Sequence, residues 1–169
     1  MTQLTKDKKL QSSFLASVVG LCMTLIAFGA EAQVRLENTI KKVQTYVDES
    51  GEVKRRMVDA TSVVPGDELQ YVVKFVNEGA VPVDAGTIVI TDAIPEHTVY
   101  LDGTAFGSGT DIKFSLDGKA FAAAQELLVQ AKDENVPAKA SDYSAIRWTF
   151  GPALKPGESS YVSFNVRLK

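Results

Sequence analysis

The chain alternates between apolar and polar positions over much of its length. Leu69, Tyr71, Val73 and Phe75 are separated by Gln70, Val72 and Lys74. Ile88 and Ile90 flank Val89, and Ile146, Trp148 and Phe150 flank Arg147 and Thr149. Val162, Phe164, Val166 and Leu168 alternate with Ser163, Asn165 and Arg167. Successive side chains of a strand point to opposite faces, so each run predicts a strand with one apolar and one wetter face. The last run is the cleanest and predicts a half-buried strand. Turn chemistry separates the runs: Pro65-Gly66-Asp67, Asn77-Glu78-Gly79, Asp102-Gly103, Asp117-Gly118 and Lys155-Pro156-Gly157. Gly and Asn tolerate positive φ, and Pro presets the first turn angle. Short strands with such punctuation predict an all-β fold in which two antiparallel sheets bury one face against each other, a β-sandwich.

Three segments read less directly. Val34–Val47 predicts a strand that turns at Asp48-Glu49-Ser50-Gly51 into a second run, Val53–Val58. A helix competes there, because Leu36, Ile40, Val43 and Val47 also fit helical spacing. The β-rich remainder favours strands, so residues 33–63 are expected to be an N-terminal extension with a strand or hairpin, ahead of a sandwich over 64–169. Ala120–Leu128 has room for one short turn of helix. Ala131–Asp142 is polar and reads as a loop.

The first 32 residues have a different character. Lys6, Lys8 and Lys9 precede an apolar stretch from Phe14 to Phe28, and Ala30-Glu31-Ala32 supplies a small-x-small pattern. That order predicts a cleavable signal peptide over 1–32. The apolar stretch is shorter than the roughly 20 residues of a bilayer span. Cys22 is the only cysteine, and Leu21 precedes it where a lipidation signal wants a small residue. Without residues 1–32 the chain holds no cysteine, hence neither a disulfide nor a thiolate metal site. Losing three lysines and two acids takes the 18 basic and 21 acidic residues to 15 and 19, a net charge of −4. The charges are scattered, without the basic stripe of a nucleic-acid binder. No second apolar span follows, so no membrane span is expected after cleavage.

The run from Val64 to Leu168 carries a specific set of motifs in order. They are Val64-Pro65-Gly66-Asp67-Glu68-Leu69-Gln70-Tyr71, Val76-Asn77-Glu78-Gly79, Val89-Ile90-Thr91-Asp92-Ala93-Ile94-Pro95, and Leu154-Lys155-Pro156-Gly157-Glu158 before the strand from Tyr161. Ser115-Leu116-Asp117-Gly118-Lys119 and Ile146-Arg147-Trp148 fall between them. This stretch resembles a family of bacterial and archaeal immunoglobulin-like surface domains, the conserved repeat domain of unknown function numbered eleven in its series. The resemblance implies an Ig-like two-sheet antiparallel β-sandwich on an exported protein, in the periplasm or at the cell surface of a bacterium. Tandem copies are common in that family, whereas this chain carries one copy with its own extension. The family brings no catalytic residues.

Candidate chemistry is sparse. His97 is the single histidine, and a zinc site needs about three or four good ligands. It reads as a solvated loop residue. Asp84, Asp92, Asp102, Asp111 and Asp117 lack the dense spacing of a calcium loop and read as turn residues, with Asp92 capping the loop after its strand. A serine nucleophile needs a base and an orienting group, which one histidine without a nucleophile elbow does not supply. Gly103–Gly109 is glycine-rich but lacks the lysine of a phosphate loop and reads as a hairpin loop. Trp148, Phe150 and Phe164 read as core rather than as a ligand groove. No catalytic, cofactor or metal residue is assigned, and no cofactor is expected.

The functional expectation is an exported, non-enzymatic structural or interaction module of a surface, matrix or filament assembly, with a protein partner or self-association. The alternative is a soluble periplasmic binding or accessory protein. Residues 33–47 pair either with their own domain's edge or with a neighbour by strand addition. Intact-mass measurement of exported protein is expected to find Gln33 as the first residue; a chain retaining Met1 would mark an uncleaved anchor instead.

Overall fold

The computed structural model describes Gln33–Lys169; the expected signal peptide over 1–32, with Cys22, lies outside the described residues. Eleven strands follow in order: β1 (Val34–Val47), β2 (Val53–Asp59), β3 (Glu68–Asn77), β4 (Ile88–Ala93), β5 (Thr98–Tyr100), β6 (Phe106–Gly107), β7 (Thr110–Ser115), β8 (Leu128–Ala131), β9 (Glu134–Pro137), β10 (Ala145–Phe150) and β11 (Ser159–Leu168). Single 3-10 turns occupy Ala124–Glu126 and Ala140–Asp142. The larger sheet has the order β2-β1-β3-β11-β5, with β6 also on β11. The smaller has the order β4-β10-β7, and β8 and β9 form a separate hairpin. Every pairing is antiparallel. The protein is therefore all-β, as the alternation predicts.

The two main sheets meet through the predicted apolar phases. Phe75 on β3 meets Phe150 on β10 edge-on, with ring centroids 5.2 Å apart. Trp148 on β10 lies 5.9 Å from Phe164 on β11, and Tyr100 on β5 lies 5.5 Å from Phe114 on β7. Leu69, Val73, Ile88, Ile90, Ile146, Val162 and Val166 fill the space between them. Fully burying one such side chain is worth about 1.5–3 kcal/mol, so this layer carries the fold in a chain that has no cysteine pair to cross-link.

Two expectations are corrected. The loop read over Ala131–Asp142 contains β9 and the second 3-10 turn, and its first residue ends β8. The β8–β9 hairpin buries no side chain and half-buries only the facing pair Val129 and Val136, so its sequence carries no apolar alternation to read. Strand β11 was expected to have one wet face. Ser163 and Asn165 on that face are buried instead, because β6 lies against Ser163 and the Asn165 side chain donates to Glu68 at 2.6 Å. The strand reading of Val34–Val47 holds over the helical one: β1 runs its whole length and pairs with β3 from Val34 to Val43.

The turn motifs converge in space. Asn77 is fully buried at the end of β3. Its side-chain amide donates to the carbonyls of Val81 and Leu154 at 2.8 and 2.9 Å, and its side-chain oxygen accepts from Gly79 N–H at 2.9 Å. Its backbone donates to Glu158 and accepts from Gly157. One side chain thus joins the Asn-x-Gly turn to the Leu-x-Pro-Gly-Glu turn 77 residues later in the chain. At the opposite end of β3, Gly66, at φ 93°, donates to Leu168, and Leu168 donates back to Asp67. Asn77→Ala is expected to lower unfolding stability by about 2–4 kcal/mol in urea titration, because it strands buried carbonyls. Asn77→Asp keeps the acceptor for Gly79, loses both donors and should not rescue the loss.

Candidate functional site

The residues that carried candidate chemistry do not assemble into a centre. His97 is exposed in the β4–β5 loop at φ 61°, and its carbonyl accepts from Lys169 N–H. Asp84, Asp102, Asp111 and Asp117 are exposed on separate turns and strands. The Asp117 carboxylate accepts from the amides of Lys119 and Ala120 at 2.8 and 3.0 Å and from Ser115 Oγ, and these bonds hold its pKa below the usual value. Among the described residues no group of three or more His, Cys, Asp or Glu side chains is placed to hold a metal ion. Trp148, Phe150 and Phe164 are buried core residues. The glycine-rich segment contributes β6. A Cβ on Gly107 would stand 2.6 Å from Thr110 Oγ1 and 2.9 Å from Val162 Cγ1, so this glycine serves close strand packing.

The surface is more informative than any pocket. Among the described residues, eight of the twelve exposed large apolar side chains fall between residues 36 and 64: Leu36, Ile40, Tyr46, Val47, Val53, Met57, Val63 and Val64. They lie on the β1–β2 hairpin and the connection that follows it. Leu36 and Ile40 pair across from Phe75 and Tyr71, so they share the core-facing side of the larger sheet. Yet Leu36 is 55% exposed and Ile40 44%. The cause is sheet width. The aromatic contacts set β7 against β5 and β10 against β11 and β3. Strand β4 then reaches only the margin of β3 and β1, and no further strand of the smaller sheet continues over β1 and β2. Beyond Val43, β1 has only β2 beside it, so the hairpin end projects past the body.

A cleft of about 150 Å³ opens at this margin, lined by Asn38, Thr39, Ile40, Tyr71, Val72, Val73 and Asp92. Asp92 continues the inward phase of Ile88 and Ile90 and is half-buried there. Its carboxylate does not serve as the loop cap expected from the sequence. Among the described residues it forms no ion pair, and burial pushes its pKa above the ordinary value, opposed only by the neighbouring Ala93 amide. Tyr71 is pushed up as well, first by burial and then by the Asp92 charge. The two-residue phase of β4 carried this placement in the sequence, since Asp92 follows Ile88 and Ile90.

On the larger sheet, Asp67 of the Pro-Gly-Asp turn accepts from Lys42 Nζ at 2.6 Å and from Val64 N–H at 2.8 Å. The lysine contact, and then the amide, lower its pKa. The pair ties the base of the projecting hairpin to the start of β3.

A carboxyl group whose folded-state pKa lies above its unfolded value binds its proton more tightly in the folded state. It stabilises the fold below the ordinary carboxyl pKa of about 3.9, and this contribution is lost as the pH rises through the folded pKa. Asp92→Asn should therefore raise the melting temperature over the parent at neutral pH, with the gain shrinking toward zero as the pH is lowered through the acidic range. A pH-independent difference would show that Asp92 is solvated. Comparisons with protein-family models, with curated proteins and with solved structures found no match.

Proposed function

We propose that this chain is an exported, immunoglobulin-like, non-enzymatic module that works by contact within a surface or envelope assembly. The observation that carries the reading is the concentration of exposed apolar side chains on β1, β2 and the following connection. Leu36, Ile40 and Tyr46 lie on the core-facing side of the larger sheet and Val47, Val53 and Met57 on its other side, so both faces of the hairpin expose apolar surface of the kind that marks interaction sites. A two-stranded hairpin by itself is marginally stable in water, so one that projects from the body with Tyr46, Val47, Val53 and Met57 exposed is suited to be completed by a partner. The motif resemblance points the same way, toward exported domains that act as structural units. The motif residues Asn77, Gly157 and Asp67 serve turns and sheet ends, consistent with a scaffold whose working surface lies elsewhere.

Affinity capture from the organism's own envelope fraction, with the purified protein as bait, tests the reading. The parent is expected to retain a defined protein, and the double variant Leu36→Asp/Ile40→Asp about tenfold less of it or lower still, as for loss of apolar contacts at the centre of an interface. Leu36 is 55% and Ile40 44% exposed, so the variant should still fold with the parent's circular dichroism spectrum, at a melting temperature lowered by the new carboxylate beside Asp92. Equal retention by the two would remove this face from the proposal.

A further inference from the structure

We propose that the contact surface takes a second copy of this chain, with β2 of one copy adding as a strand to the free edge of β4 in the other. The inference rests on the contact-module reading and names its partner. Among the described residues, β2 and β4 end their sheets. The other outer strands are less open: β5 has three residues, and β7 is bridged from Phe114 to Ala122.

The backbone polarity of the two edges matches. Ile94 N–H donates to Ser144, one step beyond the β4–β10 register. Even-numbered residues of β4 therefore turn their polar groups to β10, and Val89 and Thr91 turn theirs to the open side. Asp48 N–H donates to Glu52 at the head of the β1–β2 hairpin. Even-numbered residues of β2 thus face β1, and Arg55 and Met57 face outward. An antiparallel joint between Val89/Thr91 and Arg55/Met57 aligns open donors and acceptors on both edges. The register that sets Met57 across from Thr91 also sets Val58 across from Ile90 and Arg56 across from Asp92, on the side that covers Leu36 and Ile40.

Charge selects this pairing over its alternatives. Strand β2 carries Lys54, Arg55 and Arg56 in succession. From Asp84 to Glu96, β4 and its flanks carry Asp84, Asp92 and Glu96 with no basic residue. Pairing β2 with β2 would oppose like charges across the strands, and pairing β4 with β4 would bring Asp92 no cation. Unlike edges attract, and an arginine beside Asp92 gives that half-buried carboxylate the cation it lacks. A joint between unlike edges either closes into a ring or continues as a chain of copies.

Sedimentation velocity over a concentration series tests the joint. The parent is expected to associate with rising concentration, and less so in high salt. Thr91→Pro and Met57→Pro each remove an outward N–H that has no partner among the described residues, so each should keep the fold and remain monomeric alone. An equimolar mixture of the two restores one sound β2 and one sound β4, and should associate again. Lys54→Glu/Arg56→Glu, which alters only exposed side chains, should weaken parent association at least tenfold with an unchanged circular dichroism spectrum. A parent that stays monomeric at every concentration, a proline variant that folds and still associates, or a mixture that stays monomeric would overturn the proposal. Monomeric parent protein that still captures an envelope protein through Leu36 and Ile40 would sink self-pairing alone and leave the contact-module reading standing.

Discussion

A wide sheet packed against a narrow one leaves part of its apolar side without cover. In this protein five strands in sequence across one sheet, β2-β1-β3-β11-β5, face three, β4-β10-β7. The narrow sheet is centred on β11 and β3, where Trp148 and Phe150 meet Phe164 and Phe75. On the β1 side of that contact the cover thins out, and Leu36 and Ile40 are left exposed. Leu36 and Ile40 are core residues by phase and surface residues by exposure, and Asp92 sits on an inward phase because the core already opens to water there. The projecting hairpin, the cleft and the displaced carboxyl pKa all follow from one mismatch in sheet width.

The rest of the body is closed by polar joints at the strand ends. With the single cysteine outside the described residues, the body is held by burial, hydrogen bonds and ion pairs. Asn77 does the work of a cross-link at one end, binding two carbonyls and one amide from segments distant in sequence. Asp67 and Gly66 tie the other end, with Lys42 brought in from β1. A buried amide with every partner satisfied specifies one arrangement, because any shift leaves unpaired groups in a low-dielectric interior.

The edges show a division of labour. Natural sheets protect open edges with charges, bulges or short strands. Strand β5 is short, β7 is bridged, and β2 carries a basic run that discourages pairing with its own kind. Strand β4 is guarded only by the inward-turned charge of Asp92; its central residues Val89, Ile90 and Thr91 are uncharged. The under-covered floor formed by Leu36 and Ile40 lies beside it. An edge left open next to an open face has the properties of a docking groove for an extended strand.

The alternation of side chains was enough to identify the strands β3, β4, β10 and β11, their buried phases and the turns between them, because a period of two admits no other regular structure. It also favoured a hairpin over 33–63 against a helix. It did not reveal β8 and β9, whose side chains bury too little to leave a pattern, nor the burial of Ser163 and Asn165, which depends on β6 and on Glu68 arriving from elsewhere in the chain. The turn character of Asn77 was legible, but its junction with Leu154 was not, since proximity across 77 residues leaves no local trace. The exposed face belongs wholly to the tertiary structure. Phase tells which side of a strand is apolar, and only the number of strands packed opposite decides whether that side is covered.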